Sequence, residues 1–300
     1  MPDKLKNFIQ ALRLPFVTAS FLPFLFGSFI VRENFNFLGF IFGLLAVVNT
    51  HISANLINDY ADSRTGADWH DKKFYQFFGG SKLIQQNVFS EKFYLATAII
   101  FALVSAISVI LLSVTLKSYF VLVIYAAIVI LSWFYSVSPL RFSYNRVGEI
   151  AIFFLFGPAL VMGGYFIQTG IFPDLKSFFL SLPFGIFTTT ILFANEIPDF
   201  YDDQKSAKFT WVSLIGPKNS FKLYYFLIFA GFSSILLNVL LSFLNPLALI
   251  TFLFIIPAVK AEKIIKKFYE NKTELMQSSK LTIVVQNLVG ACLVLTMFFF

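Results

Sequence analysis

The chain has 300 residues, 58% of them hydrophobic and only 13% charged, with a mean hydropathy of +0.78. A water-soluble domain carries about 25% charged residues, so this composition excludes an ordinary soluble fold and points to lipid. The net charge of +7 is read as membrane-flanking loops rather than a nucleic-acid surface, because basic residues set the orientation of membrane chains. A single cysteine, Cys292, rules out an intrachain disulfide, and two histidines, His51 and His70, are too few for a histidine-based metal site.

A spanning helix needs roughly 20 largely apolar residues. In chain order such runs fall at 8–31, 37–59, 93–116, 119–138, 147–169, 175–198, 221–243, 246–265 and 279–299. They predict an all-α membrane protein of nine transmembrane helices, with residues 1–300 as a single domain. The first ten residues, with Lys4 and Lys6, lack a small-residue cleavage site and read as the retained start of the first helix. Pro15, Pro23, Pro158 and Pro183 lie inside the runs, which membrane helices tolerate when neighbours satisfy the freed backbone groups. The 42 phenylalanines read mainly as lipid-facing bulk.

The connections alternate. Those at 32–36, 117–118, 170–174 and 244–245 are short, and that side holds only Arg32, Lys117 and Lys176 of the 23 basic residues. The opposite side has the long, charged loops and is expected to face the cytoplasm, with the N-terminus. The stretch 260–272, K-A-E-K-I-I-K-K-F-Y-E-N-K, reads as a basic helix end near anionic headgroups.

Two acidic stretches lie on that expected cytoplasmic side. Residues 55–71 read N-L-I-N-D-Y-A-D-S-R-T-G-A-D-W-H-D, and residues 195–208 read N-E-I-P-D-F-Y-D-D-Q-K-S-A-K. Together they hold eight of the sixteen acidic residues. Asn58 and Asp62 are four apart, as are Asn195 and Asp199, and Asp203 adds another turn. Residues at i and i+4 share a helix face. Gly66 provides a point where the chain can turn back before Asp68. Amide and carboxylate oxygens without histidine or cysteine suit Mg²⁺, which binds together with substrate phosphates. Two such stretches facing each other would hold two or three ions around a diphosphate. Asp71 and Asp202 lie off the two rows and read as solvated.

N-D-Y-A-D-S-R-T-G-A-D resembles the first aspartate motif of the UbiA superfamily of intramembrane prenyltransferases, and N-E-I-P-D-F-Y-D-D resembles the second. G-G-S-K-L-I (79–84), Y-S-V-S-P-L-R (135–141) and G-E-I-A-I-F-F-L-F-G-P (148–158) match in order, so the similarity covers nearly the whole chain. The spacing around Gly66 and the last two glycine-containing runs look most like the 1,4-dihydroxy-2-naphthoate prenyltransferases of menaquinone synthesis. The resemblance implies a bundle around a central cavity, capped on the cytoplasmic side of the cell (inner) membrane by the two motif loops. It also implies Mg²⁺, a polyprenyl diphosphate and an aromatic small-molecule acceptor, with no nucleic acid.

Carried over by position, the resemblance assigns metal to Asn58, Asp59, Asp62, Asp68, Asn195, Asp199 and Asp203. It assigns catalysis to Asp62, Asp199, Lys82 and Tyr135. Substrate binding falls to Asn55, Arg64, Lys82, Tyr135, Arg141, Glu149 and Lys208. Relatives carry Gly-Lys-Arg-Thr after the second motif, whereas Ala207, Lys208, Phe209 and Thr210 stand here, which leaves the acceptor open to 4-hydroxybenzoate, homogentisate or a lipid alcohol. A cation-coupled transporter is the competing class, since intramembrane carboxylates also mark ion paths. Transporter sites, however, tend to lie near the midplane on broken helices.

Overall fold

The computed structural model describes residues 2–299, and among these it is helical with no strand. The helices are α1 (Pro2–Leu12), α2 (Thr18–Phe29), α3 (Phe37–Thr65), α4 (Glu91–Leu116), α5 (Phe120–Phe134) and α6 (Gly148–Phe156). They continue with α7 (Pro158–Thr169), α8 (Leu175–Lys205), α9 (Val212–Ile215), α10 (Ser220–Leu240), α11 (Ile255–Phe268) and α12 (Lys272–Thr296).

Among the described residues six helices are long and apolar enough to cross a membrane, counting α6 and α7 together, and α1 with α2 makes a seventh span bent by 47°. The count of nine from the sequence meets two shorter elements. Helix α5 has 15 residues and rises about 22 Å, less than the roughly 30 Å hydrocarbon core. The run expected at 246–265 divides into a 3₁₀ segment, Pro246–Phe254, followed by α11. The first run divides as well: Arg13 takes a left-handed conformation with φ 50° and Pro15 follows at once, which ends α1 and redirects the chain.

The two helices that carry the acidic motifs overrun their expected ends. Helix α3 continues through Asp59 and Asp62 to Thr65 and stops on Gly66, whose φ of 89° is a C-terminal conformation that suits glycine. Helix α8 passes through Pro198 to Lys205. The Asn58–Asp62 and Asn195–Asp203 rows therefore lie on the last turns of long helices, while Asp68 and Asp71 lie in the loop after Gly66.

Helix α8 is the most enclosed span, with 72% of its apolar window buried. It packs against α6, α7, α10 and α12, while α3 pairs with α4 and α2 with α7. The α2–α7 contact is backbone to backbone. A Cβ on Gly27 would meet the Val161 carbonyl oxygen, and one on Gly164 would lie 2.6 Å from the Phe24 carbonyl oxygen. Such close crossings through small residues are how membrane helices gain packing without a hydrophobic drive. Outward positions such as Ile100, Leu103, Ile107, Val123, Phe226 and Phe229 are exposed, as expected for side chains facing lipid.

Candidate active site

A cavity of about 610 Å³ lies between α2, α3, α5, α7 and α8. From α3 it takes Gly43, Val47, Thr50, His51, Ala54, Asn55, Asn58 and Asp62. Their three- and four-residue repeat places them on one face, and the 19 steps from Gly43 to Asp62 rise about 28 Å. From α8 it takes Thr188, Ile191, Leu192, Asn195, Asp199, Asp202 and Asp203. The aspartates gather where these two helices end. Below them the lining is apolar, with Val109, Leu112, Ile128, Leu131, Phe156 and Phe166 among its residues.

The carboxylates are engaged by basic residues from four separate parts of the chain. Asp59 pairs with Arg13 and accepts from the Ser81 amide at 3.2 Å. Asp68 pairs with Lys82 at 2.8 Å. Lys208 Nζ stands 3.4 Å from Asp203 and 3.7 Å from Asp62. Lys272 Nζ bridges Asp71 at 3.1 Å and Asp202 at 2.6 Å. Asp199 accepts from the Gly79 amide at 3.0 Å. Asp62 also accepts from the Tyr144 hydroxyl at 2.7 Å and from Asn58 Nδ2 at 3.3 Å.

These charges perturb one another. Burial, with Asp62 beside it, pushes the Asp68 carboxyl up to about 7 in spite of Lys82. Burial opposes the charge on Lys208, but Asp203 and Asp62 outweigh it and hold the ammonium well above the usual lysine range.

Residues 20–274 match the UbiA prenyltransferase family. The chain belongs to that family. It is 30% identical over 233 residues to the human UbiA prenyltransferase domain-containing protein 1, covering 76% of this chain and 66% of that one. It is 27% identical over 187 residues to the 1,4-dihydroxy-2-naphthoate octaprenyltransferase of Mycobacterium leprae, covering 62% of this chain. The matched region spans 61% of that enzyme's length, and 64% of the length of the Drosophila melanogaster homolog of the human protein. The fold matches a UbiA homolog from Archaeoglobus fulgidus bound to GPP and Mg²⁺ with a TM-score of 0.64 at 15% identity, covering 97% of this chain and 98% of that one. A UbiA homolog from Aeropyrum pernix K1 matches with a TM-score of 0.70 at 16% identity, over 93% and 98% of the two chains.

Of the positions that the UbiA resemblance singles out, Asn55, Asn58, Asp62, Asp68, Lys82, Tyr135, Asn195, Asp199, Asp203 and Lys208 line the cavity. Asp59 sits behind it, held by Arg13. Arg64 does not join them: two residues beyond Asp62 it points to the other side of α3, 3.9 Å from Glu91 and with a side chain 63% exposed. Arg141 lies outside the cavity with its guanidinium over the Tyr144 ring. Glu149 is buried and accepts from the Trp211 amide. With Phe209 N donating to Tyr144 O and Arg146 N to Phe209 O, it pins the altered segment 207–210 from its C-terminal side and so sets the place of Lys208.

Arg13, Lys272, Tyr144, Asp71 and Asp202 are site residues that the sequence reading passed over or took as solvated. Arg13 and Lys272 meet acids 46 and 201 positions away, and no local pattern signals that. Tyr144 lies just past the stretch Tyr135–Arg141, and the turn that returns it to Asp62 is tertiary.

Among the described residues no three histidine, cysteine, aspartate or glutamate side chains stand ready around one metal position, since basic groups hold the aspartates. The donor set still fits a hard divalent cation. It is all oxygen, and Asn195 Oδ1 and Asp203 Oδ2 are buried with no hydrogen-bond partner, where buried acceptors are as a rule paired.

Proposed function

We propose that this chain is a prenyltransferase that moves a polyprenyl group from its diphosphate to an aromatic acceptor at the motif end of the cavity. The observation that carries it is the meeting of the two Asn-x-x-x-Asp rows, with Lys82, Lys208 and Arg13 among them, above an apolar cavity. Membership in the UbiA family and the GPP and Mg²⁺ of the Archaeoglobus fulgidus homolog support the same reading. In it Asn58, Asp62, Asp68, Asn195, Asp199 and Asp203 would hold Mg²⁺, with Asp59 in support. When bound, Mg²⁺ supplies electrophilic stabilisation of the departing diphosphate.

The chain's own residues do the rest. Lys82, Lys208 and Arg13 exchange carboxylates for the oxygens of the diphosphate and stabilise the charge that builds as the allylic C–O bond breaks. Tyr135 lies beside the reacting carbon, and Asn55, one turn below Asn58, orients the substrate. The prenyl tail lies along the apolar cavity, which excludes water from the allylic cation. The electron-rich ring forms the new C–C bond and then loses a proton. A buried charged carboxylate is costly in the apolar core, so the acceptor enters at the motif end.

The acceptor in this reading is 1,4-dihydroxy-2-naphthoate, supported by the Gly66–Asp68 spacing and the octaprenyltransferase relatives. All 300 residues act as one unit. The short α5 and the composite 246–268 complete nine crossings, and the motif end faces the cytoplasm of the cell membrane. Purified protein with Mg²⁺, a polyprenyl diphosphate and 1,4-dihydroxy-2-naphthoate is expected to form a prenylated naphthoquinol. Prenylation of 4-hydroxybenzoate or homogentisate alone would reject the acceptor and keep the reaction. Transfer only to a lipid alcohol would reject the aromatic class.

A further inference from the structure

Three contacts around Lys272 involve acids that lie off the two Asn-x-x-x-Asp rows. Asp71 Oδ2 accepts from Lys272 Nζ at 3.1 Å and from the Tyr75 hydroxyl at 2.9 Å, while Asp202 Oδ2 accepts from Lys272 Nζ at 2.6 Å. Lys272 is itself fixed, because Asn271 caps α12 by accepting from the Thr273 and Glu274 amides. The ammonium also lies 5.5 Å from the centre of the Tyr75 ring, which stacks on Phe78 at 4.9 Å. Tyr75, Phe77 and Phe78 line the mouth of the cavity. One lysine thus ties the segment 71–78 to the ends of both α8 and α12.

Gln86 Nε2 also donates to the Lys72 carbonyl at 3.0 Å on the exposed side of the segment, whereas the ties just beyond residue 78 are of a different kind. Gly79 N binds Asp199 and Ser81 N binds Asp59, which are acids that the proposed function gives to the metal. Those ties are lost or rearranged when a metal–diphosphate group enters. Asp71 and Asp202 lie off the two metal rows, so their contacts with Lys272 persist. The three side chains are largely shielded, with exposures of 24% for Lys272, 28% for Asp71 and 16% for Asp202, so water screens them less than a surface pair.

We propose that Lys272 is a positioning residue, a clasp that holds the segment 71–78 closed over the cavity mouth while the substrate is bound. The proposal rests on the prenyltransferase reading for its catalytic consequence, but not for its structural one. With the clasp open, water reaches the allylic carbon. It forms a C–O bond there as the bond to diphosphate breaks and then sheds a proton, so prenyl alcohol and diphosphate replace the prenylated product.

Two measurements on the full-length protein test this. In a Cys292→Ala background, Phe78→Cys places a thiol at a position 5% exposed. Lys272→Met is expected to speed its reaction with a water-soluble maleimide several-fold without any substrate present. The exchange Lys272→Asp with Asp202→Lys is expected to restore the slow rate. In parallel, with Phe78 intact, Lys272→Met is expected to raise the ratio of prenyl alcohol to prenylated acceptor, and the exchange to lower it again. Unchanged thiol reactivity in Lys272→Met overturns the clasp. So does a higher KM for prenyl diphosphate with unchanged reactivity and no rescue by the exchange, because Lys272 is then a diphosphate contact. If the wild-type protein transfers no prenyl group but the thiol behaves as expected, the clasp stands and the proposed function falls.

Discussion

Asp62 is held at once by Tyr144, Asn58 and Lys208, and Asp199 takes the Gly79 amide. Asp62→Asn and Asp199→Asn keep the side-chain volume and remove the charge. Each is expected to cut turnover at least about a hundredfold, the scale on which electrostatic groups at reacting centres act, with little change in thermal unfolding. Near-normal turnover of either purified variant at moderate Mg²⁺ would remove it from the metal set. Arg64→Ala is the matched control: its pair with Glu91 is exposed, so a stability change below about 1 kcal/mol and near wild-type activity are expected. The rows of Asn and Asp were legible because i,i+4 spacing is local. The partners of those aspartates were not, since Arg13 and Lys272 reach them through the fold. Asp71 and Asp202 looked like solvated ends for the same reason, as their shared lysine is far away in sequence.

The elements were easier to read than their breaks. Apolar runs at 37–59, 93–116 and 175–198 correspond to α3, α4 and α8, because twenty apolar residues leave a chain few options in lipid. Pro15 marks the break near Arg13 in the sequence, but the left-handed turn there and the change from 3₁₀ to α at 254–255 leave weak traces in composition. Gly157 and Pro158 part α6 from α7, and a Cβ at Gly157 would come within 2.8 Å of the Gly185 backbone, a contact no sequence pattern announces. Helix α7 also offers a test of the tail cavity. Gly163 lines it, and a Cβ there would meet nothing within 4 Å. Gly163→Leu therefore fills cavity space without disturbing the helix contacts. It is expected to shift preference toward short chains, leaving kcat/KM for geranyl diphosphate nearly unchanged and lowering it for octaprenyl diphosphate. Equal effects on both chain lengths would place the tail elsewhere.

At the scale of the whole molecule the asymmetry of charge sets an orientation. Twenty of the 23 basic residues were assigned from sequence to the side that bears the acidic motifs, and that side is expected to be cytoplasmic. Lys73 and Lys218 are both exposed there. Cysteines at these positions in a Cys292→Ala background are expected to resist an impermeant thiol reagent in intact cells and to react in inverted vesicles; labelling from outside would reverse the topology. The motif end has a further consequence. Seven aspartates, 59, 62, 68, 71, 199, 202 and 203, face five cations, Arg13, Lys82, Lys205, Lys208 and Lys272. Acids outnumber cations at the mouth, which weakens its hold on a bare diphosphate. A divalent ion entering alone must displace lysines that then lack an anion. Each ligand relieves the penalty of the other, so the two are thermodynamically linked, and linkage is reciprocal. Calorimetry is expected to show inorganic diphosphate binding roughly 5–150-fold more tightly with Mg²⁺ than in a chelator, the usual range of such coupling, and Mg²⁺ gaining the same factor from diphosphate. Equal affinities in the two conditions would mean that the mouth admits its ligands independently, as a passive receptacle rather than a gate that opens only to the pair.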